Sequence, residues 1–172
     1  MNASRAARGL MAMALVFGAV PAVAQEAKTG GAVPWDYACA AASSDAPLQC
    51  RMTQELFATE SRQRVLAITV TAAPAPGGNS SVEMTLALPH GALLPPGLTL
   101  KIDEQEPVKV AIESSNAAGV YARVALDGEL GTAVKRGQQM TVGVTNRAGK
   151  LVQIPVSLAG FSAALKRLTA LR

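Results

Sequence analysis

The chain has 172 residues, of which 49% are hydrophobic and 16% are charged, with 15 glycines and 10 prolines. This composition predicts one compact domain and argues against a disordered tail or a coiled coil. Aromatic residues make up 3% of the chain and there is a single histidine. A histidine-rich zinc site, a haem with two histidine ligands and a carbohydrate platform of stacked rings are therefore disfavoured.

Residues 1–24 are predicted to be a signal peptide. Arg5 and Arg8 form a positive segment, residues 10–20 are apolar, and Ala22-Val23-Ala24 is a small-x-small cleavage site. No apolar run reaches the roughly 18 to 20 residues that a membrane span needs. We therefore expect cleavage near Ala24 and a periplasmic, cell-surface or secreted protein. An uncleaved N-terminal anchor is the alternative.

Removal of the signal peptide changes the charge and the domain boundaries. The net charge of +4 falls to +2 when Arg5 and Arg8 are lost. The remaining chain has no lysine and arginine cluster, so nucleic acid is not expected as a partner. Residues 25–34 are rich in glycine and alanine and are predicted to be a flexible leader, which leaves 35–172 as a single domain.

A two-residue alternation of apolar side chains predicts short strands through most of this domain. The predicted inward-facing rows are Trp35, Tyr37 and Cys39; Cys50, Met52, Gln54 and Leu56; Leu66, Ile68 and Val70; Val82, Met84, Leu86 and Leu88; Leu98, Leu100 and Ile102; Val108, Val110 and Ile112; Val120, Ala122, Val124 and Leu126; Met140, Val142 and Val144; and Val152, Ile154, Val156 and Leu158. Because each row must be buried against another layer, the pattern predicts an all-β antiparallel β-sandwich. A closed small barrel is the alternative.

Segments rich in proline, glycine, serine and asparagine predict the loops between these strands. They cover residues 74–79, 89–97, 114–119 and 146–149. Pro155 lies inside the last predicted strand and indicates an edge position or a bulge, because proline cannot donate a ladder hydrogen bond.

Two helices are predicted beside the strands. Residues 127–136 favour a short helix with Asp127 at the N-cap and Gly137 in the left-handed position after its end. A C-terminal helix is predicted from five apolar residues at helical spacing, namely Phe161, Ala164, Leu165, Leu168 and Leu171. We expect this helix to cover one open end of the sandwich. Peripheral contact with an anionic membrane surface, through the same amphipathic helix, is the alternative.

The two cysteines, Cys39 and Cys50, predict a structural disulfide between the first two strands, because exported proteins fold under oxidising conditions. Such a bridge contributes about 3 kcal/mol by chain-entropy reasoning. The spacing is not the C-x-x-C of a redox pair, and a metal site would need further ligands. No cofactor is expected.

No complete catalytic set is visible in the sequence. The segment around Ser162 is similar to the G-x-S-x-G nucleophile elbow, but no acid and no histidine follows it. His90 lies in a loop beside proline and glycine, where a surface histidine is typical. No catalytic residue is therefore predicted.

The carboxylates are scattered along the chain. Asp103, Glu104 and Glu106 cluster at one turn, where a solvated tip is expected. An envelope hydrolase that uses dispersed carboxylates such as Asp103 or Asp127 is nevertheless the alternative to a protein without catalytic activity.

A particular set of residues carries a resemblance to a known family. The set is Trp35, the Cys39 and Cys50 pair, Leu88-Pro89 with Gly91, Pro95-Pro96-Gly97-Leu98, Ile102-Asp103 and the ending Val156-Ser157-Leu158-Ala159-Gly160-Phe161-Ser162-Ala163-Ala164-Leu165. With it, the chain resembles the invasion-associated locus B family of bacterial envelope proteins over roughly Trp35 to Leu168. The resemblance implies a periplasmic or surface-associated β-sandwich, a family named for a role in host-cell entry, and no established enzymatic reaction.

The chain departs from the family pattern at a second cysteine pair that relatives often carry. Here Ser114 or Ser115 and Val120 occupy those places. The turn at 114–119 is therefore expected to be looser than in the relatives. Together these features predict a non-enzymatic binding protein whose partner is another envelope component or a host-surface protein.

Overall fold

Two β-sheets and two helices make up the computed structural model, which describes residues 25–26, 34–41, 43–46, 48–74 and 80–170. In chain order the elements are β1 (Gln25–Glu26), β2 (Asp36–Ala40), β3 (Gln49–Phe57), β4 (Arg64–Pro74), β5 (Ser80–Leu88), β6 (Leu98–Ile102), β7 (Val108–Val110), β8 (Ile112–Asn116), β9 (Gly119–Ala125), α1 (Gly128–Arg136), β10 (Gln139–Thr145), β11 (Leu151–Ser157) and α2 (Phe161–Ala170). The predicted signal peptide, residues 75–79 of the first predicted loop, and Leu171 lie outside the described residues.

The larger sheet has six strands in the order β2-β3-β4-β5-β9-β8, and every neighbouring pair is antiparallel. Its inner row confirms the predicted alternation, since Leu66, Ile68 and Val70 of β4 have no exposed surface. Ile68 is opposite Gln54 on one side and Leu86 on the other, so the buried positions of three strands are in register.

The smaller sheet has five strands in the order β1-β11-β10-β6-β7. β1 is the one parallel partner among the pairs described, with Gln25 beside Val152. Two residues of the predicted leader therefore pair as a strand. Pro155 lies beyond the two residues of β11 that β1 pairs, so its described ladder partner is Thr141 of β10 alone, as expected for an edge position.

The inner faces of the two sheets share one hydrophobic core, which confirms the β-sandwich. Met52, Ile68 and Met84 from the larger sheet and Met140 and Val142 from the smaller sheet are fully buried in it. One polar side chain crosses this core: Gln54 Nε2 of β3 donates to the main-chain oxygen of Ser157 of β11, at 3.4 Å. A predicted inward position is thus used to connect the sheets.

The strand predicted from Val108 to Ile112 is wrong as a single strand. The chain leaves the smaller sheet after β7 and enters the larger sheet at β8, with Ala111 between them. Val108 is exposed and Val110 is buried, because only Val110 reaches the core before the chain crosses from one sheet to the other at Ala111. The predicted turn at 114–119 is also too long, since β8 extends to Asn116 and pairs with β9.

Helix α1 corrects two further predictions about its ends. Asp127 is at the N-cap but its side chain makes no capping hydrogen bond. Gly137 has a φ of −68°, which is not left-handed. The residue is small for another reason: a Cβ on Gly137 would lie 2.6 Å from Ile102 Cγ2. Gly137, directly after α1, thus approaches Ile102 of β6 so closely that a larger residue would force a shift.

Helix α2 lies against the core with its apolar face inward. Phe161, Ala164, Leu165 and Leu168 are buried, and the helix contacts β2, β3, β4 and α1. This packing supports the prediction that α2 covers an end of the sandwich, while membrane contact stays a prediction. Neither helix of the described part of the chain has the length and apolar character needed to cross a bilayer.

Candidate functional site

The disulfide is built by strand register. Cys39 of β2 and Cys50 of β3 are eleven positions apart in the chain and are direct partners across the first hairpin. Their Cα atoms are 4.0 Å apart and an S–S bond joins them. The Tyr37 hydroxyl donates to Cys39 Sγ at 3.0 Å. The predicted disulfide is confirmed, and it fixes the hairpin rather than offering a reactive thiol.

An apolar cavity of about 440 Å³ opens between the sheets at one end of the sandwich, and we call it the end cavity. Val65 at the start of β4 and Leu88 at the end of β5 line it from the larger sheet. Val144 of β10 and Val152 and Ile154 of β11 line it from the smaller sheet. The lining is apolar because each of these residues belongs to a predicted inward row or adjoins one.

One rim of the end cavity is the loop 89–97, which carries the chain from the larger sheet to the smaller sheet. Pro89, His90, Gly91 and Ala92 line the cavity, and Gly91 has a φ of +111°, a conformation that favours glycine. Ala92 is bridged to Asn146, and the amide of the next residue donates to the Thr145 carbonyl at 2.8 Å. The loop is therefore tied to the end of β10.

The other rim is the turn between β10 and β11, which contributes Asn146, Arg147 and Ala148. Asn146 Oδ1 accepts hydrogen bonds from the amides of Ala148 and Lys150, both at 3.0 Å. This asparagine turn fixes the backbone that carries Arg147. Arg147 is exposed and makes no ion pair with any residue of the described part of the chain.

Exposed apolar side chains lie beside this end of the sandwich. Leu93 and Leu94 follow Ala92 in the loop and are 36% and 50% exposed. Leu151, which precedes the cavity-lining Val152, is 42% exposed. Exposed apolar groups that adjoin a cavity are typical of recognition surfaces.

Asp103 has a structural role in the fold. Its carboxylate accepts hydrogen bonds from the amides of Gln139, at 2.9 Å, and Gln138, at 3.2 Å. The residue has a φ of +47°, which aspartate tolerates better than most side chains. Asp103 thus attaches the turn after β6 to the segment that starts β10.

A second cleft contains only one of the two carboxylates, Asp103 and Asp127, that were named for the hydrolase alternative. Asp103 and Glu129 line it together with Arg136 and the start of α1, whereas Asp127 is not among its lining residues. One of the two carboxylates, Asp103, is already engaged by two backbone amides. The turn acids Glu104 and Glu106 are exposed, as predicted, and Glu104 pairs with Lys101 at 3.1 Å.

Other carboxylates pair with arginines on the outside of the larger sheet. Arg64 and Glu55 are 2.9 Å apart, and Arg123 Nε donates to Glu113 at 3.0 Å. This hydrogen bond, aided by the charges of Glu113 and Glu83, raises the pKa of Arg123 above its ordinary value. These acids therefore act as surface ion pairs.

The remaining catalytic candidates are separated from one another. Ser162 Oγ donates to the Lys135 carbonyl and so joins the start of α2 to α1. His90 is exposed at the end cavity, near the beginning of β11, while α2 follows the end of that strand. Within the described ranges there is also no group of three or more histidine, cysteine or acidic residues placed to hold a metal ion.

Sequence reasoning missed the end cavity. The strand residues of its walls, except Val65, lie in predicted inward rows. The space between these walls depends on which small loop residues face them. The signal in the sequence that could have indicated this cavity is the run from Gly91 to Leu94. Its residues are two small ones followed by two leucines, in a loop where polar residues are usual.

The fold and site define a class of protein: a disulfide-bonded β-sandwich with a helix over one end and an apolar cavity at the other. A family model described as invasion associated locus B (IalB) protein matches residues 35–169. The chain belongs to this family.

Relatives of known sequence and structure agree with this assignment. The chain is 33% identical over 123 residues to an invasion protein B homolog of Brucella abortus strain 2308, covering 71% of this chain and 69% of the relative. A homolog from Brucella abortus biovar 1 strain 9-941 has the same identity and coverage. The crystal structure of invasion associated protein B from Bartonella henselae superimposes with a TM-score of 0.68 at 24% identity, covering 84% of this chain and 96% of that one. This similarity confirms the sandwich fold.

Proposed function

We propose that the chain is an exported, non-enzymatic binding protein of the bacterial envelope and that the end cavity is its binding site. The observation that carries the proposal is an apolar cavity between the sheets with Arg147 and His90 on its rim. Concave apolar sites with a few polar groups at the opening are the usual form of a small-molecule or side-chain binding site.

The engagement of polar groups supports a role without catalysis. General acid–base and nucleophilic chemistry require a nucleophile within hydrogen-bond reach of a base. Among the described residues, Ser162 donates to a main-chain carbonyl and Asp103 accepts from two main-chain amides. His90 makes no hydrogen bond with a described side chain, so it has no partner for a relay.

The proposed location outside the cytoplasm is supported by the disulfide, because such bonds persist in oxidising compartments. Pairing of β1 starts at Gln25, directly after the predicted cleavage site near Ala24, so cleavage there would leave the strand intact. We propose a periplasmic, cell-surface or secreted protein. Any membrane contact of α2 would use its exposed Lys166 and Arg167, since the apolar face is buried.

The family name supports our proposal for the class of partner. The relatives carry the name invasion protein, and we propose that this chain binds an envelope component or a host-surface protein, with a role in host-cell interaction. Recognition at loop-built rims is common because loops vary while the sandwich holds them in place.

The test uses a substitution that obstructs the end cavity without entering the core. Ala148→Trp places a large side chain at the exposed rim, and Ala117→Trp, in the exposed turn between β8 and β9, is the matched control. Binding partners from envelope extract and from host membranes would be compared by quantitative pull-down. We expect A148W to lose the specific partner and A117W to retain it. Equal retention by both variants would contradict the proposal.

The alternative function, an envelope hydrolase, is favoured only by the cleft that Asp103 and Glu129 share. Incubation of the protein with envelope glycan and peptide separates the two functions. Turnover that is lost in Glu129→Gln would support the hydrolase. The absence of turnover in a folded preparation that retains its partner would support the binding protein.

A further inference from the structure

We propose that the end cavity binds the acyl chain of a monomeric anionic amphiphile and that Arg147 contacts its carboxylate. This inference rests on the proposed function, because it names the ligand class of the same site.

The size and walls of the end cavity favour an acyl chain. Its volume of about 440 Å³ lies in the roughly 300–1,000 Å³ range of small-molecule sites. It is lined from both sheets by aliphatic residues, so a ligand seated there contacts aliphatic groups of both layers; these residues are Val65, Leu88, Val144, Val152 and Ile154. Each methylene group of an acyl chain that is removed from water there favours binding.

The same walls disfavour a peptide or a helix as the occupant. A helix with side chains is about 10–12 Å wide, whereas packed sheets are only about 10 Å apart and their side chains fill most of that space. An extended peptide would place backbone N–H and C=O groups against aliphatic side chains, where unpaired polar groups are costly. An acyl chain carries no such groups.

The charge at the rim indicates the sign of the head group. Arg147 and His90 are the ionisable residues among the lining residues, and no aspartate or glutamate lines this cavity. A neighbouring depression that shares Pro89 with the end cavity contains one acid, Glu55, which is paired with Arg64 at 2.9 Å. A carboxylate at the opening would therefore contact an available cation without competition from a rim acid.

The rim is also pre-arranged. Asn146 holds the turn that carries Arg147, and Ala92 ties the opposite loop to the same asparagine. Both rims are thus attached to the end of β10, which reduces the ordering cost of binding. The ligand source we propose is the free monomer rather than a lipid within a bilayer, because the opening lies between two rims that are attached to each other.

The experiment measures binding of dodecanoate by calorimetry to the purified disulfide-bonded chain, below the micelle-forming concentration. Decanol and dodecyltrimethylammonium are the neutral and cationic comparisons, and anionic vesicles test the bilayer source. Ala148→Trp obstructs the rim, with Ala117→Trp as its control. Arg147→Gln removes the charge, with the exposed Arg51→Gln as its control. Circular dichroism confirms that each variant is folded, and Ala92→Phe is a second obstruction.

We expect saturable binding of dodecanoate that is lost in A148W and A92F, weakened about tenfold in R147Q and unchanged in R51Q and A117W. Decanol should bind the wild type and R147Q equally. Equal affinity for the cationic amphiphile, binding to vesicles alone, or no binding of dodecanoate would each overturn the inference. If A148W still loses a protein partner when dodecanoate fails to bind, the proposed function stands and only this ligand class is wrong. If A148W retains the partner as well, both are wrong.

Discussion

The indole of Trp35 meets the ring of Phe161 edge to face, with centroids 5.0 Å apart and planes at 79°. Trp35 precedes the first strand of the larger sheet and Phe161 is the first residue of the last helix, so this contact joins the two ends of the domain. Both residues are buried in the core. The pair explains how α2 is held against the sandwich. Phe161 packs against Trp35 beside β2, which is distant in sequence, and not only against β11, which precedes the helix in the chain.

Phe161→Ala should lower the free energy of unfolding by about 3–5 kcal/mol, because it leaves a cavity and removes the ring contact. Phe57→Ala is the matched control, since Phe57 is 44% exposed, and it should change stability by no more than about 0.5 kcal/mol. Urea unfolding monitored by circular dichroism measures both values. Similar losses in the two variants would show that α2 does not stabilise the core through Phe161.

Reduction of the Cys39–Cys50 bond should lower stability by about 3 kcal/mol, because the bond restricts the unfolded chain across a short loop. The measurement is the urea midpoint with and without dithiothreitol. The double variant Cys39→Ser with Cys50→Ser should have the reduced midpoint under both conditions. If dithiothreitol did not change the urea midpoint of the wild type, the disulfide would contribute nothing to stability.

Asp103→Asn should destabilise the protein by about 1–3 kcal/mol, because the charge on the acceptor is lost and an NH2 donor replaces Oδ2, which accepts from the Gln138 amide at 3.2 Å. Asparagine tolerates the positive φ, so the effect reports the lost acceptor and not backbone strain. The control is Asp45→Asn at an exposed position. Thermal unfolding would contradict this role if both variants melted together with the wild type.

A second disulfide should form in the variant Ser115→Cys with Val120→Cys, because these residues are direct partners between β8 and β9. The bridge should contribute about 2 kcal/mol across its small loop. Intact mass after air oxidation should fall by about two hydrogens. Ser114→Cys with Val120→Cys is the control, since Ser114 is opposite Tyr121 instead. Free thiols in the first variant would show that the hairpin does not keep this register.

Much of the sandwich could be predicted because burial follows the two-residue period of a strand. The predicted rows in β4, β5 and β10 are inward, and the disulfide followed from export chemistry. The crossing at Ala111 could not be predicted, since Val108, Val110 and Ile112 keep the same alternation on both sides of it. Periodicity reports the face of a residue and not the sheet to which its strand belongs.

The ends of α1 and the end cavity escaped prediction for a related reason. Gly137 was expected to be left-handed, yet its small size serves packing against Ile102, a residue distant in sequence. The cavity likewise depends on Ala92 lying near Val144 and Ile154. Such spaces arise from tertiary distances that no local pattern contains.

Methyl NMR of the disulfide-bonded chain titrated with dodecanoate tests the account most directly, because it locates the ligand. We predict saturable shifts in the methyl signals of Leu88, Val144 and Ile154, all of which line the end cavity. The methyl signals of Thr132 and Ala133, in the cleft with Asp103 and Glu129, should stay unchanged. Shifts confined to that cleft, with the three cavity signals unmoved, would contradict the assignment of the end cavity as the binding site.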